Sequence, residues 1–191
     1  MPASNVQTFR AMAYNNAWAN HRLHTACAAL TPEEFAASRT SFFPSIAATL
    51  NHILVIDWFY VDALEGGDLG PKAWANEIPF PALADLTREQ AAVDRRLIAV
   101  CEALTDASMN CEVRVNRITR WQVERRDRLL MHLFQHQVHH RGQAHAMLAG
   151  TGVKPPQLDE FFSVGEAELR AAEFAEMGFS EEAIWGPEGV R

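Results

Sequence analysis

The feature that most constrains this chain is a pair of histidines one turn apart on a long helical stretch. A helix is expected from about Val123 to Ala149, stopped by Gly150-Thr-Gly152 with Pro155-Pro156 beyond. It carries the run His132-Leu-Phe-Gln-His-Gln-Val-His-His-Arg-Gly-Gln143. Residues four apart on a helix stand one above the other, with Cβ atoms roughly 5–6 Å apart, so His136 and His140 can aim two imidazoles at one point. Two neutral ring nitrogens make half of a transition-metal site, and such a site usually wants a third protein ligand. A candidate stands far upstream: His52, in the apolar run Ile46-Ala-Ala-Thr-Leu-Asn-His-Ile-Leu-Val-Ile-Asp-Trp-Phe-Tyr60. Facing helices would bring the three together.

Helical angles sharpen the choice. At about 100° per residue, with His136 at zero, His140, Gln143, Met147, Leu129 and His132 fall within about 40°. His139 lies about 60° to the side and His145 on the opposite face. With His52 at zero, Ala48, Ile56, Phe59 and Ala63 fall within about 40°. Both helices therefore carry histidines in apolar stripes, where an unpaired polar ring is costly. Taken singly, each histidine is explained by ordinary core hydrogen bonds. Taken together, an i,i+4 pair and a distant third are equally explained by one metal ion. His132, one turn before His136, is the rival ligand. Gln137 follows His136, so the glutamate of a zinc-protease HExxH pattern is missing.

Composition narrows the classes. A chain of 191 residues with 48% apolar content fits one globular domain able to bury a substantial core. No apolar run is long and charge-free enough to span a bilayer, and Met-Pro-Ala-Ser-Asn-Val-Gln has no basic region or apolar stretch of a secretory signal. Cys27, Cys101 and Cys111 are odd in number and scattered, which suits reduced thiols in a cytoplasmic protein. No Cys-x-x-Cys occurs, against a structural thiolate zinc site. A net charge of −7 argues against nucleic-acid binding. Arg114, Arg117, Arg120, Arg125, Arg126 and Arg128 cluster before the histidine helix, as a solvated face or as a site for an anionic small molecule.

The first helix is expected over about Ser4 to Leu30, with Phe9, Met12, Ala13, Ala17, Leu23, Cys27 and Leu30 inward. Asn16, Asn20 and His24 share that face, so either the centre of the fold is wet or the helix turns toward solvent at mid-length. Thr31-Pro-Glu-Glu34 has the form of a capping box. The second helix starts near Ser41 to Ser45 and ends at Glu65-Gly-Gly67. Its second apolar flank, Ala47, Leu50, Leu54, Trp58 and Val61, implies further burial, in a dimer or under the crossover that follows. Residues 66–85 read as that long crossover. Thr87-x-x-Gln90 is expected to open a third helix ending near Leu104, and Cys111-Glu-Val-Arg-Val115 a short extended excursion. A tail helix over Glu166 to Met177 closes at Gly178, with Ser180 capping a last turn. Four long amphipathic helices with one long crossover describe an all-α four-helix bundle, an architecture whose interior commonly holds metals.

The segments Tyr14-Asn-Asn-Ala-Trp-Ala-Asn20, Thr49-Leu-Asn-His-Ile-Leu-Val-Ile-Asp57, His132 to Gln143 and Gly152-Val-Lys-Pro-Pro-Gln-Leu-Asp159 together resemble the DinB-like (damage-inducible) family, related to YfiT-like metal-dependent hydrolases. The resemblance covers nearly the whole length, and the His-His-Arg-Gly-Gln run is its most specific part. It implies one domain over residues 1–191, an up-down-down-up four-helix bundle, a homodimer, and a divalent metal held by three histidines. Matched by motif, these are His52, His136 and His140. It also implies thiol-dependent transfers and isomerisations that use low-molecular-weight thiols such as bacillithiol or mycothiol, although many members have no established reaction. The residue before the first histidine of the motif is commonly Asn in the family and is Gln135 here; at about 260° it points away from the ligand face.

Three protein nitrogens leave positions open to water or substrate, which marks a catalytic site over a structural one. Imidazole suits zinc and nickel alike. The leading expectation is a metal-dependent enzyme, a thiol-dependent transferase or a hydrolase acting on a small molecule. The alternatives are a metal- or small-ligand-binding module without turnover, and a dimeric interaction module stapled by a structural metal. Neither nucleic acid nor membrane is expected as a partner.

Overall fold

The computed structural model describes residues 5–186. Among these, the chain is mostly helical with one small two-stranded sheet. Four long helices dominate: α1 (Asn5–Cys27), α3 (Ile46–Leu64), α4 (Leu83–Glu102) and α6 (Arg126–Ala149). Short helices are α2 (Pro32–Ala36), α5 (Asp106–Met109), α7 (Ala167–Met177) and α8 (Glu181–Trp185). The strands are β1 (Glu112–Asn116) and β2 (Trp121–Arg125).

Local chemistry explains most boundaries. At α2 both reciprocal bonds of the capping box form: Glu34 N–H donates to Thr31 Oγ1, and Thr31 N–H donates to the Glu34 carboxylate. Ser45 caps α3 by accepting from Ala48 N–H. Gly178 ends α7 with φ 71, a left-handed conformation that glycine adopts without strain. Ser180 accepts from Ala183 N–H to start α8. The third long helix begins earlier than expected, at Leu83, so Thr87 lies within it and does not cap it. Its hydroxyl instead lies 3.0 Å from His24 Nδ1.

The extended excursion expected near residues 111–115 is one strand of a small hairpin within the mostly helical chain. The strand runs Glu112–Asn116, one residue later than expected, and residues 121–125 pair with it antiparallel, Glu112 opposite Arg125 and Asn116 opposite Trp121. That pairing delays the fourth long helix from about Val123 to Arg126. Val113 and Val115 face the core while Arg114 stacks on Trp121 outside, 4.5 Å from the ring centroid. This alternation fits a pleated ribbon with one buried face.

The long helices touch in a cycle: α1 meets α4 and α6, and α3 meets α4 and α6. Trp18, Leu23, Leu50, Leu54, Phe59, Leu86, Leu97 and Leu130 are fully buried between them. The second flank of α3 is filled within the chain. Leu54 is buried, and Trp58 packs edge-on against Phe80 of the crossover, centroids 5.9 Å apart. A partner is therefore not needed to cover that flank. The contact of α3 with α6 is what places the upstream histidine opposite the downstream pair.

Candidate metal centre

His52 projects from α3, and His136 and His140 from successive turns of α6. One ring nitrogen from each lies within 4.8 Å of the other two. The ring centroids stand 5.0 Å (His52–His136), 4.6 Å (His52–His140) and 4.4 Å (His136–His140) apart. His52 Nε2 and His136 Nε2 face each other at 3.0 Å. Nitrogens bound to one divalent ion at about 2.0–2.1 Å stand about 3 Å apart, so this spacing fits a shared cation as well as a shared proton.

Tautomers and charge favour lone pairs turned inward. His140 Nδ1 is 2.8 Å from Gln143 Oε1, an acceptor only, so Nδ1 carries the proton and Nε2 is left free. Gln143 is itself braced through its amide nitrogen, 3.1 Å from His139 Nε2. Sequence angles place Gln143 on the ligand face; the structure adds its direct bond to His140. His136 Nδ1 is buried without a partner among the described residues. Burial, followed by the neighbouring His140, lowers the His52 pKa to about 4. Burial and the surrounding histidines lower that of His136 to about 3. Burial also lowers His140, with the Gln143 bond opposing. All three imidazoles are thus neutral near pH 7, the form that binds metals. An acceptor-rich, uncharged set of nitrogens suits a divalent transition metal.

One wall is aromatic and was not anticipated from the sequence. Phe43, two residues before the Ser45 cap, lies over His52 with centroids 4.2 Å apart and reaches His140 at 5.5 Å. Phe42 is beside it and 78% exposed. On the other side Tyr60 meets His132 edge-on at 5.3 Å, and His132 sits 6.5 Å from His136. Tyr60 and His132 also line a cleft with Arg117, Gln122, Glu124 and Arg128. Arg117 donates to the Tyr60 hydroxyl at 3.0 Å and to Gln122. His132 and His139 are both exposed and outside the trio, although the sequence allowed His132 as a rival.

Beneath the histidines runs a second polar layer, which the sequence only hinted at. Asn16 and Asn20 of α1, Asp57 of α3, Gln90 and Asp94 of α4, and Gln137 and Arg141 of α6 are all buried. Gln137 donates to Asp57, and Gln90 bridges Asp57 (2.8 Å) and Asp94 (3.1 Å). Asn16 and Asn20 donate to Asp94 while their carbonyls accept from Arg141. The centre of the fold is therefore wet in the sense of polar, and α1 does not turn outward at mid-length. Burial raises Asp94 to about 6 and lowers Arg141 to about 10, and burial beside Asp94 pushes Asp57 well up. A lone aspartate in the apolar run of α3 was the available signal. Gln137 and Arg141, each one residue after a histidine of the pair, were another.

The chain matches the family model of the DinB family over residues 1–170. No functionally curated protein matches it. Among solved structures it is similar to a DinB-like protein from Bacillus cereus ATCC 10987, at 15% identity and TM-score 0.57, covering 73% of this chain and 90% of that one. It is also similar to the DinB-like protein YjoA of Bacillus subtilis, at 15% identity and TM-score 0.57, covering 77% and 96%. At that identity the structures speak for the fold alone, whereas the sequence match spans most of the chain: this protein belongs to the DinB family.

Proposed function

We propose that this protein is a divalent-metal-dependent enzyme acting on a small molecule, a thiol-dependent transferase or a hydrolase, with His52, His136 and His140 as the metal ligands. The observation that carries the reading is the convergence of three neutral imidazoles within 4.8 Å on the α3–α6 seam. A bound zinc or nickel ion would acidify a water or hold a thiol as thiolate near neutral pH. The chain's own side chains supply the rest. Gln143 fixes the ring of His140, and Phe43 covers one face of the His52 ring. Arg117 and Arg128, in the cleft bordering His132, offer positive charge suited to the carboxylates of a low-molecular-weight thiol.

Against a purely structural metal stands the core, which is closed by apolar packing and by the buried polar layer without it. The test is turnover of a thiol panel with electrophilic substrates, and of ester and amide substrates, by metal-loaded protein. Activity that disappears with chelator and in His136→Ala supports the reading. A metal-loaded protein silent across both panels favours a binding module without turnover.

The same reading takes residues 1–191 as one domain and the four long helices as an up-down-down-up bundle, with residues 65–82 as the crossover. The cyclic helix contacts support it. It includes a cytoplasmic location, in keeping with three free cysteines and with no helix among the described residues apolar and long enough to cross a membrane. It includes a homodimer as well. Met131 and Val138 of α6, about half exposed, are apolar side chains open to a partner.

A further inference from the structure

A cavity of about 130 Å³ opens between α1 and α4, away from the α3–α6 seam that carries the histidine trio. Its walls are apolar: Ala17 from α1, Ala91 and Ile98 from α4. Met177 and Phe179 cover it from the end of α7, on either side of Gly178, whose left-handed turn lets both reach the opening. These two residues lie beyond residue 170, where the family match ends. Phe179 is held there by Tyr14, edge-on with centroids 4.8 Å apart.

The cavity's polar side, its floor, is lined by Gln90, Asp94 and His24. Gln90 is 1% exposed, and its amide nitrogen is committed to Asp57 and Asp94, so the side chain cannot be flipped; its Oε1 is buried with no partner among the described residues. Asp94 also lines the cavity, with Oδ2 receiving one bond, from Asn20 at 3.2 Å, besides those that crowd Oδ1. His24 lines it too, with Nδ1 engaged by Thr87. The layer behind the floor holds two carboxylates, Asp57 and Asp94, and a single guanidinium, Arg141. An unpartnered buried acceptor such as Gln90 Oε1 costs free energy until a donor reaches it. At the rim stand Arg95, which is exposed, and His21, which lies 3.6 Å from the Glu176 carboxylate.

We propose that this cavity is a binding site for a small primary ammonium ligand with a branched apolar body, its head donating to Gln90 Oε1 and Asp94 and its body packing under Met177 and Phe179. The size suits about six heavy atoms, since an engineered cavity of roughly 150 Å³ accepts benzene. The ammonium supplies the missing donor and sets a positive charge beside the Asp94 carboxylate. Neither the histidine trio nor a metal takes part, so the site stands independently of the proposed activity.

The test uses three probes of one shape, 3-methylbutylamine, 3-methylbutanol and 3-methylbutanoate, titrated into metal-free protein at about pH 8, where an alkylamine remains protonated. Calorimetry follows binding, and nuclear Overhauser contacts from the probe methyls to Ile98 and Met177 locate it. Saturable amine binding at least tenfold tighter than the alcohol, with no carboxylate binding, is expected. Ala91→Leu narrows the cavity without touching the floor and should weaken amine binding at least tenfold, whereas His136→Ala should leave it unchanged. No saturable amine binding, equal binding of the alcohol, or undiminished binding by a folded Ala91→Leu protein would each overturn the proposal.

Discussion

Two polar clusters interrupt the apolar faces of the long helices, one across all four and one on the α3–α6 seam, and they are built on opposite principles. In the layer of Asn16, Asn20, Asp57, Gln90, Asp94, Gln137 and Arg141, every side-chain donor named above meets an acceptor across the four helices, and the charges are linked through amides. In that layer only the amide oxygens of Gln90 and Gln137 lack a partner among the described residues. In the histidine cluster two ring nitrogens face each other, the rings are neutral, and among the described residues only His140 has a protein partner that fixes its tautomer. The first cluster answers nearly all of its own hydrogen-bonding needs and ties the helices together. The second leaves lone pairs turned toward a common point. Buried polar groups that satisfy one another specify a fold, whereas convergent unsatisfied acceptors ask for a ligand.

The comparison breaks most visibly at Arg141. Replacing it with Met strands two buried carboxylates, and loss of one partner from a buried charged set costs about 3–5 kcal/mol. Urea denaturation should show that loss, or the variant should fail to fold. A cost below about 1 kcal/mol would mean that the layer does not hold the helices in the way described.

Next comes pH. Burial lowers the His24 pKa to about 4, against about 6.5 when exposed. A depressed histidine pKa means that the unfolded chain binds the extra proton, so this contribution is present above pH 6.5 and is lost as pH falls toward 4. The loss reaches up to about 3 kcal/mol. Asp94, raised to about 6, acts in the opposite direction between pH 6 and 3.8, so the comparison must isolate His24. The stability difference between wild type and His24→Gln should shrink as pH is lowered from 7 to 4. A difference that stays constant would remove His24 from the titrating groups.

A smaller effect sharpens the other cluster. Gln143→Leu removes the acceptor that holds His140 Nδ1, and loss of such a brace commonly lowers metal affinity about 10–100-fold. Competition with a chromogenic chelator would read it. The smallest effects belong to His132→Ala and His139→Ala, whose rings stay outside the trio; each should alter affinity less than about threefold, under 1 kcal/mol. A loss equal to that of His136→Ala would make His132 a ligand.

Helical periodicity was enough to align His52, His136 and His140 with their stripes, because a period of 3.6 converts spacing into direction. The same arithmetic placed Asn16, Asn20 and His24 inward but could not say what they would meet, since their partners Asp94 and Thr87 lie more than sixty positions away. Phe43 was invisible for a related reason: it sits in an irregular segment, where spacing carries no direction. The hairpin was half legible. Val113 and Val115 alternate clearly, but Trp121-Gln-Val-Glu-Arg125 adjoins a helix, and only pairing with β1 makes it a strand. The second flank of α3 was recognised as buried, while its cover, Phe80, came from a crossover without periodicity.

The most direct measurement is metal content by elemental analysis after dialysis, with circular dichroism on the same samples, for wild type and for His52→Ala, His136→Ala and His140→Ala. About one divalent ion per wild-type chain is expected, with near-total loss in each variant and helicity unchanged, because the core closes without the ion. Full metal retention in folded His52→Ala and His140→Ala protein would contradict the histidine trio as the metal site.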